Sequence, residues 1–359
     1  YHRGNAYNDK REFDRAIADY DQAIKLNPKD AVVFSSRGNA YYEKKDYNRA
    51  IFDQNRAIAL NSNYDVAFYY RGNAYRNKAE IDRAISDYDQ AIKINSNYAL
   101  AFRNRGNAYH DKRDYDRAIL DFNQAIKLNP DDALAFNARG IVHGMKGRAD
   151  LAIKDFEQVI GLDSKNAVAL NNRGFTHRIN NETESAIADY DQVIKLNPRY
   201  ALAFYNRGNA YYDRRDYDRA IADYDQAIKL NPNDVFSLHD RGIALYDKRD
   251  FERATADYEQ LTKLAPLYGI AVNQGSRSGN RYGYDRSIQE LYPTIDINPN
   301  YARAFDDRGI AFMAKGAFDH AIADFDQAIR IYPGYAIAFY HRGNAFYYKR
   351  DLNRAIQSF

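Results

Sequence analysis

An Arg-Gly step returns every thirty-four residues along this chain: Arg3-Gly4, Arg37-Gly38, Arg71-Gly72, Arg105-Gly106, Arg139-Gly140, Arg173-Gly174, Arg207-Gly208 and Arg241-Gly242. The next beat should fall at residue 276, where Ser276 stands. The signal returns one residue early, at Gly309 and Gly343. A fixed period of this length means one supersecondary unit copied along the chain, each copy burying its apolar face against its neighbours. The 359 residues therefore need not divide into separate cores.

The best-preserved copy is Ala201–Asp234, whose positions are numbered here 1 to 34. Phe204, Gly208 and Tyr211 lie at i, i+4 and i+7, one stripe of an amphipathic helix A. Arg214, Arg215 and Asp216 predict a turn. Tyr217, Ala220, Ile221, Tyr224, Ala227, Ile228 and Leu230 follow the same period and predict helix B. Asn231-Pro232 ends it, because Pro cannot continue a helix and restricts the residue before it. Gly208 and Ala220 are small where two helix backbones must come close.

A large aromatic at position 4, Gly at 8, Tyr at 11, Ala at 20, aromatic at 24, Ala at 27 and Pro at 32 together resemble the tetratricopeptide (TPR) repeat. The likeness covers almost the whole chain, and its spelling looks like bacterial members. Position 7 departs from the family: it is Arg where Leu is usual. The resemblance implies an all-α, right-handed superhelical solenoid of about ten helix-turn-helix units. It also implies a protein-interaction scaffold that binds an extended peptide or a partner's helix in its concave groove. The alternative is a structural or self-assembling arm of a larger protein.

The copies predict a regular array over 1–268 with a partial first unit, a degenerate unit over 269–301, and further units over 302–359 with a partial last one. Pro293 and four glycines (Gly269, Gly275, Gly279, Gly283) fall in the ninth copy. Interior Gly costs about 1 kcal/mol and interior Pro about 3 kcal/mol, so a helix A broken around Gln274–Tyr284 and a kink are expected there. In the second copy Gln54 replaces the aromatic of position 24, and Phe52 is expected to fill the space. Neither end carries a polar capping helix. The expectation is a segment of a longer protein, or ends that are disordered or pair with another copy.

Charge excludes some partners. Lys plus Arg number 52 against 49 Asp plus Glu, which gives no case for a nucleic-acid surface. No apolar run is long enough for membrane insertion. The chain has no Cys, which favours the cytoplasm without requiring it. No enzymatic motif is found, and no cofactor is expected. Gly275-Ser276-Arg277-Ser278-Gly279 reads as a break in the repeat, not as a nucleophile elbow or phosphate loop. His143 and His177 replace the core Tyr of position 11. With no third ligand at a matching offset, they are read as locally bonded and not as metal ligands. The Arg of position 7 and the Asp of position 23 predict a ladder of ion pairs, in preference to a row of cations awaiting an acidic ligand.

Positions 2, 5, 9, 12 and 13 share the face of helix A opposite the packed stripe. In the TPR family this face lines the groove. Position 9 carries Asn5, Asn39, Asn73, Asn107, Asn209 and Asn344, whose amides could either pair with a peptide backbone or set helix register. Tyr42, Tyr69, Tyr205 and Tyr212 at positions 5 and 12 add amphipathic surface. Copies five and six put Ile141, Met145, Phe175 and Ile179 at positions 9 and 13, and a hydrophobic pocket is expected there.

Overall fold

The computed structural model describes residues 1–268 and 299–358. Among them every regular element is an α-helix, numbered from α1 (His2–Asp9) to α20 (Leu352–Ser358) in chain order. Contacts divide the chain into two units, Tyr1–Ala169 and Leu170–Phe359. Within each unit the helices pack as successive helix-turn-helix pairs. This is the expected all-α solenoid.

The template copy shows why its residues fold this way. Its helix A is α13 (Ala201–Asp213) and its helix B is α14 (Tyr217–Leu230). Asp216 caps α14 by accepting from the Arg219 backbone N–H at 3.2 Å, which satisfies one of the donors that every helix start leaves open. Asn231 closes the helix just before Pro232. Between the helices, Arg215 adopts φ 60°. The same left-handed residue stands at position 15 of every described turn, as Arg11, Lys45, Ala79, Arg113, Asn181, Arg249 and Arg350, and as glycine at Gly147 and Gly316. A side chain in this conformation costs roughly 1–2 kcal/mol that glycine avoids. Arg215→Gly should therefore raise stability by up to about 1 kcal/mol, and Gly147→Ala should lower it by about as much. Thermal unfolding of the two variants checks both signs.

Helix B supplies the core. Ala220, Ile221, Tyr224 and Ala227 are buried, and a fully buried large apolar side chain stabilises by about 1.5–3 kcal/mol. Gly208 lies against the Tyr224 ring and the Ala220 carbonyl. Copy two corrects one expectation. Gln54 itself is fully buried and donates from Nε2 to the Ser35 carbonyl at 2.9 Å, while Phe52 is exposed. Two residues along a helix turn a side chain by about 200°, so Phe52 faces away from the gap.

The irregular stretch is framed by two helices that differ from the template. Helix α16 (Phe251–Tyr268) continues past Pro266, where Ala265 stands in place of the usual Asn. Helix α17 (Pro299–Ala314) begins on Pro299, a first-turn position at which the missing N–H costs nothing. The break expected around Gln274–Tyr284 lies outside the described residues.

Candidate interaction surface

The position-7 arginines form the expected ladder, and several of them do more than pair within their repeat. Arg207 donates from Nε and Nη2 to both oxygens of Asp223 at 2.8 and 2.7 Å, and from Nη1 to Asp191 of the preceding helix B at 2.5 Å. Arg241 repeats this with Asp257 and Asp225. In the first unit Arg37 holds Asp53 and Asp21, and Arg105 holds Asp121 and Asp89. Arg71 and Arg139 make the third bond to Asn55 and Asn123. Each of these six guanidinium groups thus clasps two successive repeats. These groups are committed to the stack and do not form a cation row for a ligand.

The first rung shows what burial does to the same pair. The Arg3 side chain is 76% exposed against 19% for Arg207. The Arg3 fork holds the Asp19 carboxyl below its ordinary range. Burial instead pushes Asp53, Asp121 and Asp223 up, against the pull of their arginines. At these three buried rungs desolvation outweighs the fork.

The position-9 asparagines are tied to the helix-B tyrosines. Tyr20 donates to Asn5 at 2.8 Å, Tyr88 to Asn73 at 2.8 Å and Tyr224 to Asn209 at 2.7 Å. Asn73 and Asn209 are buried, Asn209 to 2% exposure, while Asn39, Asn107 and Asn344 stay half-buried. Opposite Asn107 stands Phe122 and opposite Asn39 stands Gln54, neither of which has a hydroxyl. Bonds of this kind are what a register role requires. Copy six breaks the pairing: Phe175 takes position 9, and the Tyr190 hydroxyl is buried without a partner. Tyr224→Phe should cost about 1 kcal/mol, because it strands the buried Asn209 oxygen, whereas Tyr190→Phe should change stability by less than about 0.5 kcal/mol. Equal losses in urea unfolding would contradict this.

Positions 5 and 12 reach the next repeat. Asn104 donates to Tyr69 at 3.1 Å, and Asn77 donates to Tyr42 at 2.9 Å. Tyr205 donates to Asp240 at 2.8 Å and Tyr212 to Asp247 at 2.5 Å. Tyr69 is buried, while Tyr42, Tyr205 and Tyr212 are half-buried. Ile141 and Met145 in the first unit, and Phe175 and Ile179 in the second, are each half-buried on their own helix. The Arg178 guanidinium lies 5.9 Å from the Phe175 ring centre. His177 bonds locally, Nδ1 to Glu182 at 2.5 Å. His143 is buried, its Nε2 3.9 Å from Asp155. Among the described residues no cluster of side chains has a metal-binding arrangement.

One lining feature has no counterpart among the residues named from sequence. Position 2 carries an aliphatic side chain in copy after copy. In the first unit Val32, Leu100, Leu134 and Val168 are exposed, Leu134 to 64%. The signal was visible as a repeated aliphatic on a face otherwise polar.

The repeats match established family descriptions. "TPR repeat" matches residues 4–45, 72–113, 106–147, 177–214 and 309–349, and "Tetratricopeptide repeat" matches 33–64 and 201–234. No curated protein is similar enough to count as a match. Among solved structures, a tetratricopeptide repeat protein from Parabacteroides merdae is 16% identical over 73% of this chain and 96% of its own, with a TM-score of 0.55. The C-terminal part of a TPR repeat-containing protein from Cytophaga hutchinsonii is 18% identical over 64% and 95%, with a TM-score of 0.52. YrrB, described as a TPR protein with an unusual peptide-binding site, is 24% identical over 52% and 97%, with a TM-score of 0.45. With its period, its helix pairs and these matches over more than half its length, the chain belongs to the tetratricopeptide repeat family.

Proposed function

We propose that the chain binds an extended peptide or a helix of a partner protein along the helix-A face that lines the groove in this family. TPR proteins are generally non-catalytic protein-interaction scaffolds, and no helix among the described residues is long and apolar enough to cross a membrane. The observation that carries the reading is the rail of exposed aliphatics at position 2: Val32, Leu100, Leu134 and Val168. Single exposed apolar residues need no explanation, but the same one repeated along a face marks a partner site. The half-buried Asn39, Asn107 and Tyr42 supply polar edges beside it, and within the second unit Tyr205 and Tyr212 stand at the equivalent positions of their own helix A. Ile141 and Met145 on α9 (Ala133–Met145) add apolar lining in the first unit, and Phe175 and Ile179 on α11 (Ala167–Ile179) give the second unit apolar side chains at the same positions.

The test is affinity selection of peptides from a random library, followed by titration of the selected peptides against variants. Leu134→Asp and Phe175→Asp should each weaken binding at least ~tenfold, or about 1.4 kcal/mol, with circular dichroism unchanged. Selected peptides that bind both variants as tightly as the original chain would overturn the reading.

A further inference from the structure

In the second unit, position 5 of one repeat bonds position 6 of its successor. Tyr205 donates to Asp240, and His341 Nδ1 meets Asp306 at 2.9 Å. His239 stands at position 5 of the copy that precedes the irregular stretch. Its Nε2 lies 2.8 Å from Asp307, which is position 6 of the repeat that begins at Ala302, two periods further on. Helices α16 and α17 pack directly on each other. Ala311 of α17 shares one apolar core with Leu245 of α15 (Val235–Asp247) and with Ala254, Tyr258 and Leu261 of α16. Glu259 of α16 acts on Asp324 of α18 (Phe318–Ile331), adding to the burial that raises its carboxyl. The repeat at 302–335 is therefore seated where the immediate successor of copy eight belongs.

The bond that fixes this seat has an unusual chemistry. His239 Nδ1 lies 3.0 Å from Asp240, and Nε2 faces Asp307. An ionised carboxylate only accepts hydrogen bonds, and a neutral imidazole donates from one nitrogen alone. Both contacts are satisfied together only by the imidazolium. We propose that protonated His239 is a latch that seats α17, and the repeats that follow it, on copy eight, and that loss of its proton loosens that seat.

The surroundings support the charged form. The second oxygen of Asp240 accepts from Tyr205 of α13. Tyr258 of α16 presents its ring to the imidazole, with centroids 6.3 Å apart. Arg241 on the same helix is engaged with Asp225 and Asp257, and Asp306 of α17 with His341. Burial by itself would depress the imidazole, but the hydrogen bonds and charges of Asp240 and Asp307 more than offset it and hold it at about 9, against an ordinary 6.5. A folded value above the unfolded one contributes stability that is fully present below pH 6.5 and is lost as pH rises through 9.

The test uses the full chain. Imidazole ¹⁵N shifts should show both nitrogens of His239 protonated at pH 7. Amide protection factors over 302–358, each taken against the intrinsic rate at its own pH, should fall on the order of a hundredfold between pH 6 and 9.5, at tenfold per unit of pKa. His239→Gln should show low protection that does not change with pH. Asp307→Asn should keep the repeats folded but flatten the pH dependence. A neutral His239 at pH 7, or an unchanged pH profile in either variant, overturns the latch.

Discussion

Asp223→Ala should cost about 2–3 kcal/mol and lower the urea midpoint of the array. Removing one partner of a buried ion pair costs about 3–5 kcal/mol, because the other charge is left in low dielectric. The loss here is smaller for two reasons: Arg207 keeps Asp191, and its side chain retains some contact with water. The clasp spans two repeats, and solenoid stability is a sum of repeat terms and neighbour interfaces. Both should weaken at once, so the transition should broaden as well as shift. Replacing the whole pair, Arg207→Met with Asp223→Leu, should recover stability to within about 1 kcal/mol of the parent, since no uncompensated charge remains. Asp19→Ala is the control and should have little effect, because Arg3 is mostly exposed. The pH behaviour has a definite sign. Burial holds the folded Asp223 carboxyl above its unfolded value, so its contribution is present at low pH and is lost as pH rises through the folded value. Acid should not unfold the array through the buried rungs at Asp53, Asp121 and Asp223. An unchanged midpoint in Asp223→Ala would sink the account.

The period made the helix pairs, their ends and the ladder legible, because Phe204, Gly208, Tyr224 and Pro232 each carry a steric reason for their position. Pairing of Arg207 with Asp223 was readable from co-occurrence within one copy. The third bond, to Asp191, was not: a period does not say which side of a repeat its predecessor packs on. Arg215 in a left-handed turn was hidden as well, because the sequence there looks like an ordinary charged turn and the strain is met by the helices on either side. Phe52 misled because proximity in sequence was taken for proximity on the helix face.

The candidate surface was less legible than the fold. Helical geometry placed positions 5, 9 and 12 on an open face, yet Tyr69, Asn73 and Asn209 are buried there by Asn104, Tyr88 and Tyr224. One wheel cannot show what a neighbouring wheel covers. The same limit applies to His239: only stacking brings a residue sixty-eight positions away against its ring.

Gly208→Ala should destabilise the chain by about 2 kcal/mol, against the helix preference of alanine. Propensity alone favours Ala by about 1 kcal/mol inside α13. A Cβ at this site, however, would stand 2.8 Å from Cε1 and 2.9 Å from Cδ1 of Tyr224, and 3.2 Å from the Ala220 carbonyl. The ring cannot swing aside, since it is almost fully buried and its hydroxyl is held by Asn209. Overpacking a filled core costs roughly 1–3 kcal/mol, and a ring fixed at both ends places this site at the upper end of that range. The internal comparison is Gly161, near the end of α10 (Ala149–Leu162), where an added Cβ meets nothing within 4 Å. There only propensity acts, and Gly161→Ala should gain up to about 1 kcal/mol. The two variants make the same chemical change with opposite expected signs. If denaturation shows both stabilised, the close approach of helix A to the helix-B aromatic is not what keeps position 8 glycine.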